Sequence, residues 1–273
     1  MFQNKYTIQI STQTFIMNNF LKGQITLVTG GTKGIGKAIA DKLSNAGAHI
    51  IVTARTEPEE NPNGYYFISA DLSQPEGAEA IAKEILEKFG RIDIIVNNAG
   101  ANLSKGGSFS TLTDEHWNND LQLNLMSAVR VNKALLPTMI NQQSGVIVNI
   151  STYAALQPIW EMTVTYSAAK AALNAYSKAL ANEVSSKGIR VNTVSPGVVK
   201  TPLMEEFIEG IARSSNITVD EAFKSVMSKV GVPLGRMAEP EEIANLVRFL
   251  ASPEAQYITG SNYLIDGGVS PVV

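Results

Sequence analysis

The chain has 273 residues, 44% of them apolar, which suits one large domain with a substantial core. It has no cysteine and only two histidines, His49 and His116, so we exclude disulfides and thiolate metal sites and expect no metal centre. The net charge of -3, without a block of like charges, argues against nucleic-acid and anionic-membrane partners. Any catalysis must therefore use hydroxyl, amine or carboxyl groups, or a bound cofactor.

Residues 1–22 are predicted to form an N-terminal extension, followed by a single domain over residues 23–273. The extension has no basic segment followed by an apolar run, so we expect no secretory signal. Met17 is a candidate start of the natural chain, because residues 17–24 could lead directly into the first strand. No apolar run approaches the roughly 18 residues that a membrane span needs. We therefore expect a soluble cytoplasmic protein.

The first predicted strand, 24–29, runs into a glycine-rich turn and then into a helix over 37–46. Glycines in this context let the backbone turn tightly and approach a pyrophosphate, which lies on the helix N-terminus. A glycine-rich turn that binds nothing is the alternative, and the flanking strand and helix disfavour it. The residues predicted to bind a dinucleotide here are Gly30, Thr32, Lys33, Gly34, Ile35 and Gly36.

The second predicted strand, 48–53, is followed by Ala54 and Arg55 instead of the acid that commonly binds the ribose 2'-hydroxyl of NAD. Arg55, together with Lys33 in the glycine turn, could instead pair with a 2'-phosphate. The alternative is that both are solvated surface cations, and Glu57 lies close to Arg55 in sequence. This pattern favours NADP over NAD.

Strands and helices alternate along the rest of the chain, as in a doubly wound sheet. Strands are predicted at 24–29, 48–53, 65–70, 92–96, 145–150, 189–194 and 262–265. Further helices are predicted from a capping box at Ser73 to Phe89, after Thr113 and through Asn124, at 168–184, and from Pro240 to Leu250. The segment 201–235 is predicted to be an insertion that contains a second capping box, Thr218 with Glu221. The expected fold is a single α/β, doubly wound Rossmann-type domain with a seven-stranded, mostly parallel sheet.

Tyr166 and Lys170 are four residues apart in a predicted helix, so their side chains lie on one face. A free phenol has a pKa of about 10, and a neighbouring cation favours its ionised form. A phenol whose pKa is lowered in this way suits general acid/base work on an alcohol or ketone. The pair alone is weak support, since this spacing also occurs by chance on exposed helices.

Seven motifs in one order connect the chain to a known family. They are Thr29-Gly-x-x-x-Gly-x-Gly36, Asn97-Asn-Ala-Gly100, Asn124, the strand-end pair Ser151-Thr152, Tyr166-x-x-x-Lys170, Pro196-Gly197 and Asp266-Gly-Gly268. Together they resemble the short-chain dehydrogenase/reductase family over about residues 20–270. The resemblance implies hydride transfer between nicotinamide C4 and a carbonyl carbon.

The resemblance also implies roles for single residues. Tyr166 would exchange the proton on the substrate oxygen, Lys170 would lower the phenol pKa and hold the ribose hydroxyls, and Asn124 would support a water-linked proton relay. Further cofactor contacts are implied for Asp71, Leu72, Asn98, Ala99, Gly100, Pro196, Gly197, Val199 and Thr201. The cofactor is expected to be NADP(H), with NAD(H) as the less favoured alternative.

One departure from the family pattern concerns the hydroxyl that polarises the carbonyl. The family has a serine about thirteen residues before the tyrosine, and this chain has Tyr153 there. A loop longer by one residue would bring Thr152 into that position, with Ser151 preceding it. Side chains alternate along a strand, so we expect only one hydroxyl to face the substrate. We favour Thr152 and leave Ser151 open.

The predicted walls of the substrate pocket, 154–160 and 203–227, are mostly apolar, which favours an apolar ketone or alcohol as the small-molecule substrate. A 3-oxoacyl-carrier-protein reductase or a hydroxysteroid dehydrogenase is the alternative enzyme class. A dinucleotide-binding sensor without catalysis is the alternative outside enzymes. Family members are commonly tetramers, so we expect a homotetramer or homodimer that pairs the helices carrying Asn124 and Tyr166.

Overall fold

The computed structural model describes residues 19–59, 61, 63–104 and 107–271. Its centre is a seven-stranded sheet in the order β3-β2-β1-β4-β5-β6-β7. Every neighbouring pair is parallel, which confirms the predicted doubly wound α/β sheet. The strands are β1 Ile25–Thr29, β2 His49–Ala54, β3 Tyr66–Ser69, β4 Ile94–Asn97, β5 Gly145–Ile150, β6 Ile189–Pro196 and β7 Asn262–Ile265.

Helices cover both faces of the sheet and bury it in two separate cores. The helices are α1 Gly34–Ser44, α2 Pro75–Phe89, α3 Asp114–Leu121, α4 Ser127–Gln142, α5 Val164–Val184, α6 Pro202–Ser215, α7 Val219–Val230 and α8 Pro240–Ala251. Helices α1 and α8 pack on one face, through residues such as Leu43 and Val247. Helices α2, α4 and α5 pack on the other face, through residues such as Ile81 and Leu135.

The strand order reverses at β1, which pairs with β2 on one side and with β4 on the other. In such sheets ligands bind in the crevice beyond the carboxyl ends of the strands, at the point of reversal. The glycine turn follows β1 there, and Asn98 follows β4. The topology therefore brings together motifs that are far apart in sequence.

Two local expectations need correction. The capping box predicted at Ser73 does not form, because its hydroxyl binds the Asp71 carboxylate, and Gln74 becomes the N-cap of α2 without a side-chain hydrogen bond. Helix α5 begins at Val164, earlier than predicted, so Tyr166 lies in its first turn. The caps at Thr113 and at Thr218 are confirmed: each hydroxyl accepts a hydrogen bond from the backbone N–H three residues later.

The N-terminal boundary of the packed domain lies before residue 23. Leu21 is fully buried, and its N–H donates to the carbonyl of Ala46. Phe20 and Leu21 therefore pack with the domain, which corrects the predicted boundary at residue 23. The candidate start at Met17 lies outside the described residues.

Helices α6 and α7, in the predicted insertion, have a small core of their own. It contains Ile208, Ala212, Ala222 and Val226. Within the described ranges, no helix combines the length and the apolar character needed to cross a membrane.

Candidate active site

The glycine turn after β1 is shaped for close approach by a ligand. Gly30 and Gly34 have φ angles of 62° and 54°, in the left-handed region that other residues rarely adopt. A Cβ on Gly36 would lie 2.1 Å from the Gly30 carbonyl oxygen, so only glycine fits there. Helix α1 starts from Lys33 without a side-chain cap and has no acid in its first turn. Its first N–H groups therefore have no side-chain acceptor at the N-cap, as the predicted pyrophosphate site requires.

Asn98 joins the ends of β1 and β4 beneath this turn. Its side-chain amide donates to the carbonyl oxygens of Thr29 and Gly30, at 3.0 and 3.1 Å. The Thr29 hydroxyl accepts hydrogen bonds from the backbone N–H groups of Asn98 and Ala99, both at 3.0 Å. These contacts fix the floor of the predicted cofactor site.

Lys33, just before α1, and Arg55, just after β2, are both exposed. Neither forms an ion pair with Glu57 or with any other residue that the structure describes. Hydrogen bonds from Ser73 lower the pKa of the Asp71 carboxyl, and the charge of Arg55 acts in the same direction, so Arg55 lies near Asp71. Leu72 beside it is buried. Among the described residues, Lys33 and Arg55 are thus two exposed cations without an ion pair.

The stretch from Pro196 to Thr201 reaches from the end of β6 towards the glycine turn. The Gly197 N–H donates to the Ile265 carbonyl at 3.0 Å, and a Cβ there would lie 2.7 Å from the Asp266 Cα. Val199 is buried and pairs with Ala238. Thr201 caps α6, and its methyl group lies 3.3 Å from the position of a Cβ on Gly34.

Asn124 lies in a π-helical turn, Gln122–Met126, between α3 and α4. Such turns often occur at functional sites. Its side chain is buried, accepts from the Ala101 N–H at 3.0 Å and donates to the Ala101 carbonyl at 2.8 Å. A Cβ on Gly100 would lie 2.8 Å from the Asn124 Oδ1 and 2.9 Å from the Lys170 Nζ. The predicted cofactor and catalytic residues therefore meet at Gly100.

Tyr166 is half-buried, and burial raises the pKa of its phenol to about 12. The Thr152 hydroxyl acts to lower this pKa, whereas the negative charge of Asp120 raises it. Lys170 is not among the causes that act on this pKa, so its expected lowering of the phenol pKa stays a prediction. The phenol is in its neutral form at neutral pH, which is the form that can donate a proton.

Lys170 follows Tyr166 by one helical turn, and only 3% of its surface is exposed. Its Nζ donates to the Ile150 carbonyl at 2.8 Å, so the ammonium is directed at the end of β5. Burial lowers the pKa of Lys170 to about 8. The site therefore holds a cation at a cost in stability that a partner of opposite charge would reduce.

The two candidate hydroxyls after β5 have different surroundings. Ser151 donates to the carbonyl of Lys170 at 3.4 Å, towards the body of α5. Thr152 has an extended backbone, accepts from the Ala154 N–H at 3.2 Å, and interacts with the Tyr166 hydroxyl. Thr152 is thus the hydroxyl beside the tyrosine, and Ser151 is turned away from it.

Thr152→Val is expected to lower kcat about 10²-fold or more, since loss of one oxyanion donor typically has that effect. Ser151→Ala is the matched control and should stay within a few-fold of the unchanged protein. Thr152→Ser should retain most activity because it keeps the hydroxyl. Steady-state kinetics of all three variants checks this, and the opposite order would assign the role to Ser151.

Lys170→Met should stabilise the protein near pH 7 while it removes activity. The folded pKa of about 8 lies below the usual 10.5, so the ammonium form is penalised in the fold. Removing this penalty stabilises the variant by about 3 kcal/mol. Losing the hydrogen bond from Lys170 to Ile150 destabilises it by about 1 kcal/mol. The free energy of unfolding should therefore rise by about 2 kcal/mol.

The sign of this effect depends on pH. The penalty on Lys170 is fully present below pH 8 and disappears as the pH rises from the folded pKa of about 8 to the usual 10.5. Urea denaturation at about pH 7 and pH 10 should thus show the advantage of Lys170→Met shrinking at the higher pH. An advantage that is absent at both values would contradict a penalised ammonium.

Three residues near the tyrosine were missed by the sequence reasoning. Tyr153 is buried, and burial, with the charge of Asp266, raises its pKa to about 12. Asp120 and Thr165 are fully buried and hydrogen-bonded to each other. The four-residue step from Asp120 to Asn124 was the available signal, because it puts both on one helix face. Among the described residues no group of histidine and acidic side chains could hold a metal ion.

The comparisons with known proteins agree with this geometry. A family model described as enoyl-(acyl carrier protein) reductase matches residues 30–270. The 3-oxoacyl-acyl-carrier-protein reductase FabG of Vibrio cholerae is 36% identical over 255 residues, which cover 91% of this chain and 98% of that protein. The chain belongs to the short-chain dehydrogenase/reductase family. The resemblance inferred from the motifs is therefore confirmed.

Other short-chain dehydrogenase/reductases show the same similarity. The oxidoreductase UcpA of Escherichia coli O157:H7 is 37% identical over 256 residues, covering 91% of this chain and 95% of that protein. L-sorbose reductase of Gluconobacter frateurii, solved with NADPH and L-sorbose, has a TM-score of 0.87 at 33% identity and covers 94% of this chain and 100% of that chain. Aldohexose dehydrogenase of Thermoplasma acidophilum has a TM-score of 0.83 at 29% identity, covering 93% and 97%. These relatives identify the chain as an oxidoreductase of the family.

Proposed function

We propose that the protein transfers a hydride between NADP(H) and a ketone or aldehyde, or in reverse from a secondary alcohol. The observation that carries this proposal is the arrangement of four residues: Lys170 and Asn124 meet beside Gly100, and Thr152 interacts with Tyr166 one helical turn before Lys170. The solved relative with NADPH and L-sorbose bound supports the same reaction class.

The residues present fit a dinucleotide phosphate. The uncapped N-terminus of α1 would hold the pyrophosphate. Lys33 and Arg55, which form no ion pair within the described part of the chain, would hold the 2'-phosphate. Bound NADPH supplies the hydride. Asp71 and Leu72 would lie along the adenine, residues 98–100 along the ribose, and residues 196–201 around the nicotinamide.

Tyr166 and Thr152 would act on the same substrate oxygen. The Thr152 hydroxyl donates a hydrogen bond that polarises the carbonyl, and the neutral phenol of Tyr166 gives its proton to that oxygen. Lys170 then stabilises the phenolate, and its ammonium returns a proton through a relay that Asn124 supports. In alcohol oxidation the same groups act in the reverse order.

The substrate would enter between the segment 153–163 and helices α6 and α7. Leu156, Trp160 and Leu203 expose 46%, 66% and 56% of their surface around this entrance, which favours an apolar substrate. Lys229 of α7 pairs with Glu161 at 3.1 Å, and the Gly107 N–H donates to the Glu161 carbonyl at 3.3 Å. Residues 201–235 would therefore act as a lid that Glu161 connects to the rest of the site.

Reduction of a 3-oxoacyl thioester is the second candidate function. The observation that favours it is the similarity to two reductases named for 3-oxoacyl-acyl-carrier-protein, each 36% identical to this chain. Against it, the entrance segments carry few basic side chains for an acidic carrier protein. A hydroxysteroid substrate fits the same apolar entrance less specifically.

A substrate panel tests the proposal. NADPH oxidation would be followed with apolar ketones and aldehydes, a ketohexose, a 3-oxoacyl thioester and a 3-oxosteroid, each with NADH as the control. We expect turnover with NADPH and highest kcat/KM for an apolar ketone. Preference for the thioester would select the second candidate. Dinucleotide binding without turnover of any substrate would favour a sensor.

We also propose that the chain assembles as a homotetramer or homodimer through α5 and the turn that carries Asn124. The exposed face of α5 bears Ala168, Ala175 and Ala179, whose small side chains permit close helix packing. Light scattering on the purified protein gives the mass that decides between these states and a monomer.

A further inference from the structure

Asp120 is a fully buried carboxylate in the last turn of α3 that the proposed mechanism does not use. Its Oδ1 accepts from the Leu103 N–H at 3.0 Å and from the Asn124 side-chain amide at 3.3 Å. Its Oδ2 accepts from the Thr165 hydroxyl. No cation of the described residues lies within ion-pair distance of it.

A carboxylate in this position is costly unless hydrogen bonds satisfy it. Its three donors come from three different elements: the loop after β4, the turn that carries Asn124, and the first turn of α5. Thr165 directly precedes Tyr166, and its hydroxyl also contacts the Ser104 hydroxyl at 2.9 Å. Asp120 therefore joins the segments that must be aligned for Tyr166 and Asn124 to meet one substrate.

The charge of Asp120 also reaches the tyrosine. Burial is the main cause of the raised pKa of Tyr166, and the charges of Asp120 and Tyr153 act in the same direction. The Thr152 hydroxyl, on the turn after β5, acts in the opposite direction, and the Lys170 ammonium on α5 itself is directed at the Ile150 carbonyl. Asp266, after β7, acts on Tyr153. The two acids that act on these tyrosines are thus Asp120 and Asp266, and Asp120 is the one that lies four residues before Asn124.

We propose that Asp120 is a positioning residue for this active site: its hydrogen bonds align Asn124 with the first turn of α5, and its negative charge opposes ionisation of Tyr166. This inference rests on the proposed role of Tyr166 as general acid. Asp120 touches neither substrate nor cofactor in this scheme and acts through Asn124, Thr165 and its field.

The test is the pH dependence of kcat/KM for alcohol oxidation, measured with Asp120→Asn. Oxidation needs the phenolate, so kcat/KM rises with pH as Tyr166 ionises. This rising part of the pH profile is the limb that the test follows. Without the charge of Asp120 this limb should move to lower pH by about 0.5 to 1 unit. A merely structural residue would lower the rate at all pH values without moving the limb, and that result would overturn the proposal.

Two variants separate charge from packing. Thr165→Val removes a hydrogen bond but keeps the charge, so it should lower the rate without a downward shift of the limb. Asp93→Asn is the matched control, because Asp93 is a buried carboxylate at the start of β4, paired with Arg91 far from Tyr166. It should leave the limb in place, and an equal shift in both Asn variants would contradict a local effect.

A second measurement keeps the proposal falsifiable if Asp120→Asn does not fold. The protein labelled with ¹³C at the tyrosine ζ-carbon would be titrated by NMR, and Tyr166→Phe would assign the resonance. The same titration would be made with Asp120→Ser, a smaller side chain that also removes the charge: Tyr166 should titrate at lower pH in this variant than in the unchanged protein, and an equal value would overturn the inference. This readout does not depend on turnover, so an inactive protein would contradict the proposed function alone.

Discussion

Replacing Tyr166 with phenylalanine is expected to reduce turnover by about 10³-fold while NADPH affinity stays within a few-fold. Phenylalanine keeps the ring in its half-buried position and removes only the hydroxyl, which carries the proton that the substrate oxygen needs. General acid catalysis by one positioned group contributes roughly 10² to 10⁴ in rate. Single-turnover kinetics with saturating NADPH measures the loss at the chemical step.

Tyr176→Phe is the matched control for this variant. Tyr176 lies further along the same helix, and its hydroxyl accepts a hydrogen bond from Asn132 at 3.2 Å, away from the site. We expect its turnover to remain near that of the unchanged protein. Near-normal turnover by Tyr166→Phe would remove the tyrosine from the proposed mechanism.

Arg55→Asp is expected to weaken NADPH binding by about 10²-fold while NADH binding changes little. The substitution exchanges attraction for repulsion at the 2'-phosphate, which NADH lacks. Charge-assisted bonds to a phosphate contribute about 1.5 to 3 kcal/mol each, and 1.4 kcal/mol is tenfold in affinity. Calorimetric dissociation constants for both dinucleotides give the comparison.

Lys83→Asp makes the same change of charge on the exposed surface of α2 and serves as the control. It should change NADPH affinity by less than a few-fold. If Arg55→Asp weakened NADPH binding and NADH binding equally, Arg55 would not bind the 2'-phosphate. In that case NAD(H) would become the favoured cofactor and alcohol oxidation the favoured direction.

Much of the fold could be predicted from the sequence because each strand is a short apolar run with turn residues at both ends. The predicted bounds of β5 and β7 agree with the structure. Ser73 shows where local patterns fail. A capping box and an Asp71 turn compete for the same hydroxyl, and only the folded backbone decides between them.

The sequence predicts which residues form the site better than it predicts their charges and pKa values. The four-residue step correctly put Tyr166 and Lys170 on one helix, but the step does not tell where the ammonium points or how far water is excluded. In the structure the Lys170 Nζ contacts the Ile150 carbonyl, and burial dominates the pKa of the phenol. Asp120 was missed because its four-residue step to Asn124 does not show that the acid is buried against Thr165, in the first turn of α5.

Transfer of deuterium from NADPH labelled at nicotinamide C4 tests the central claim most directly. The labelled cofactor would be incubated with the protein and the best ketone of the panel, and the alcohol analysed by mass spectrometry. We predict one deuterium on the carbinol carbon from one of the two C4-labelled epimers, and none with Tyr166→Phe. An unlabelled alcohol from both epimers, or no alcohol from any carbonyl compound, would contradict hydride transfer by this site.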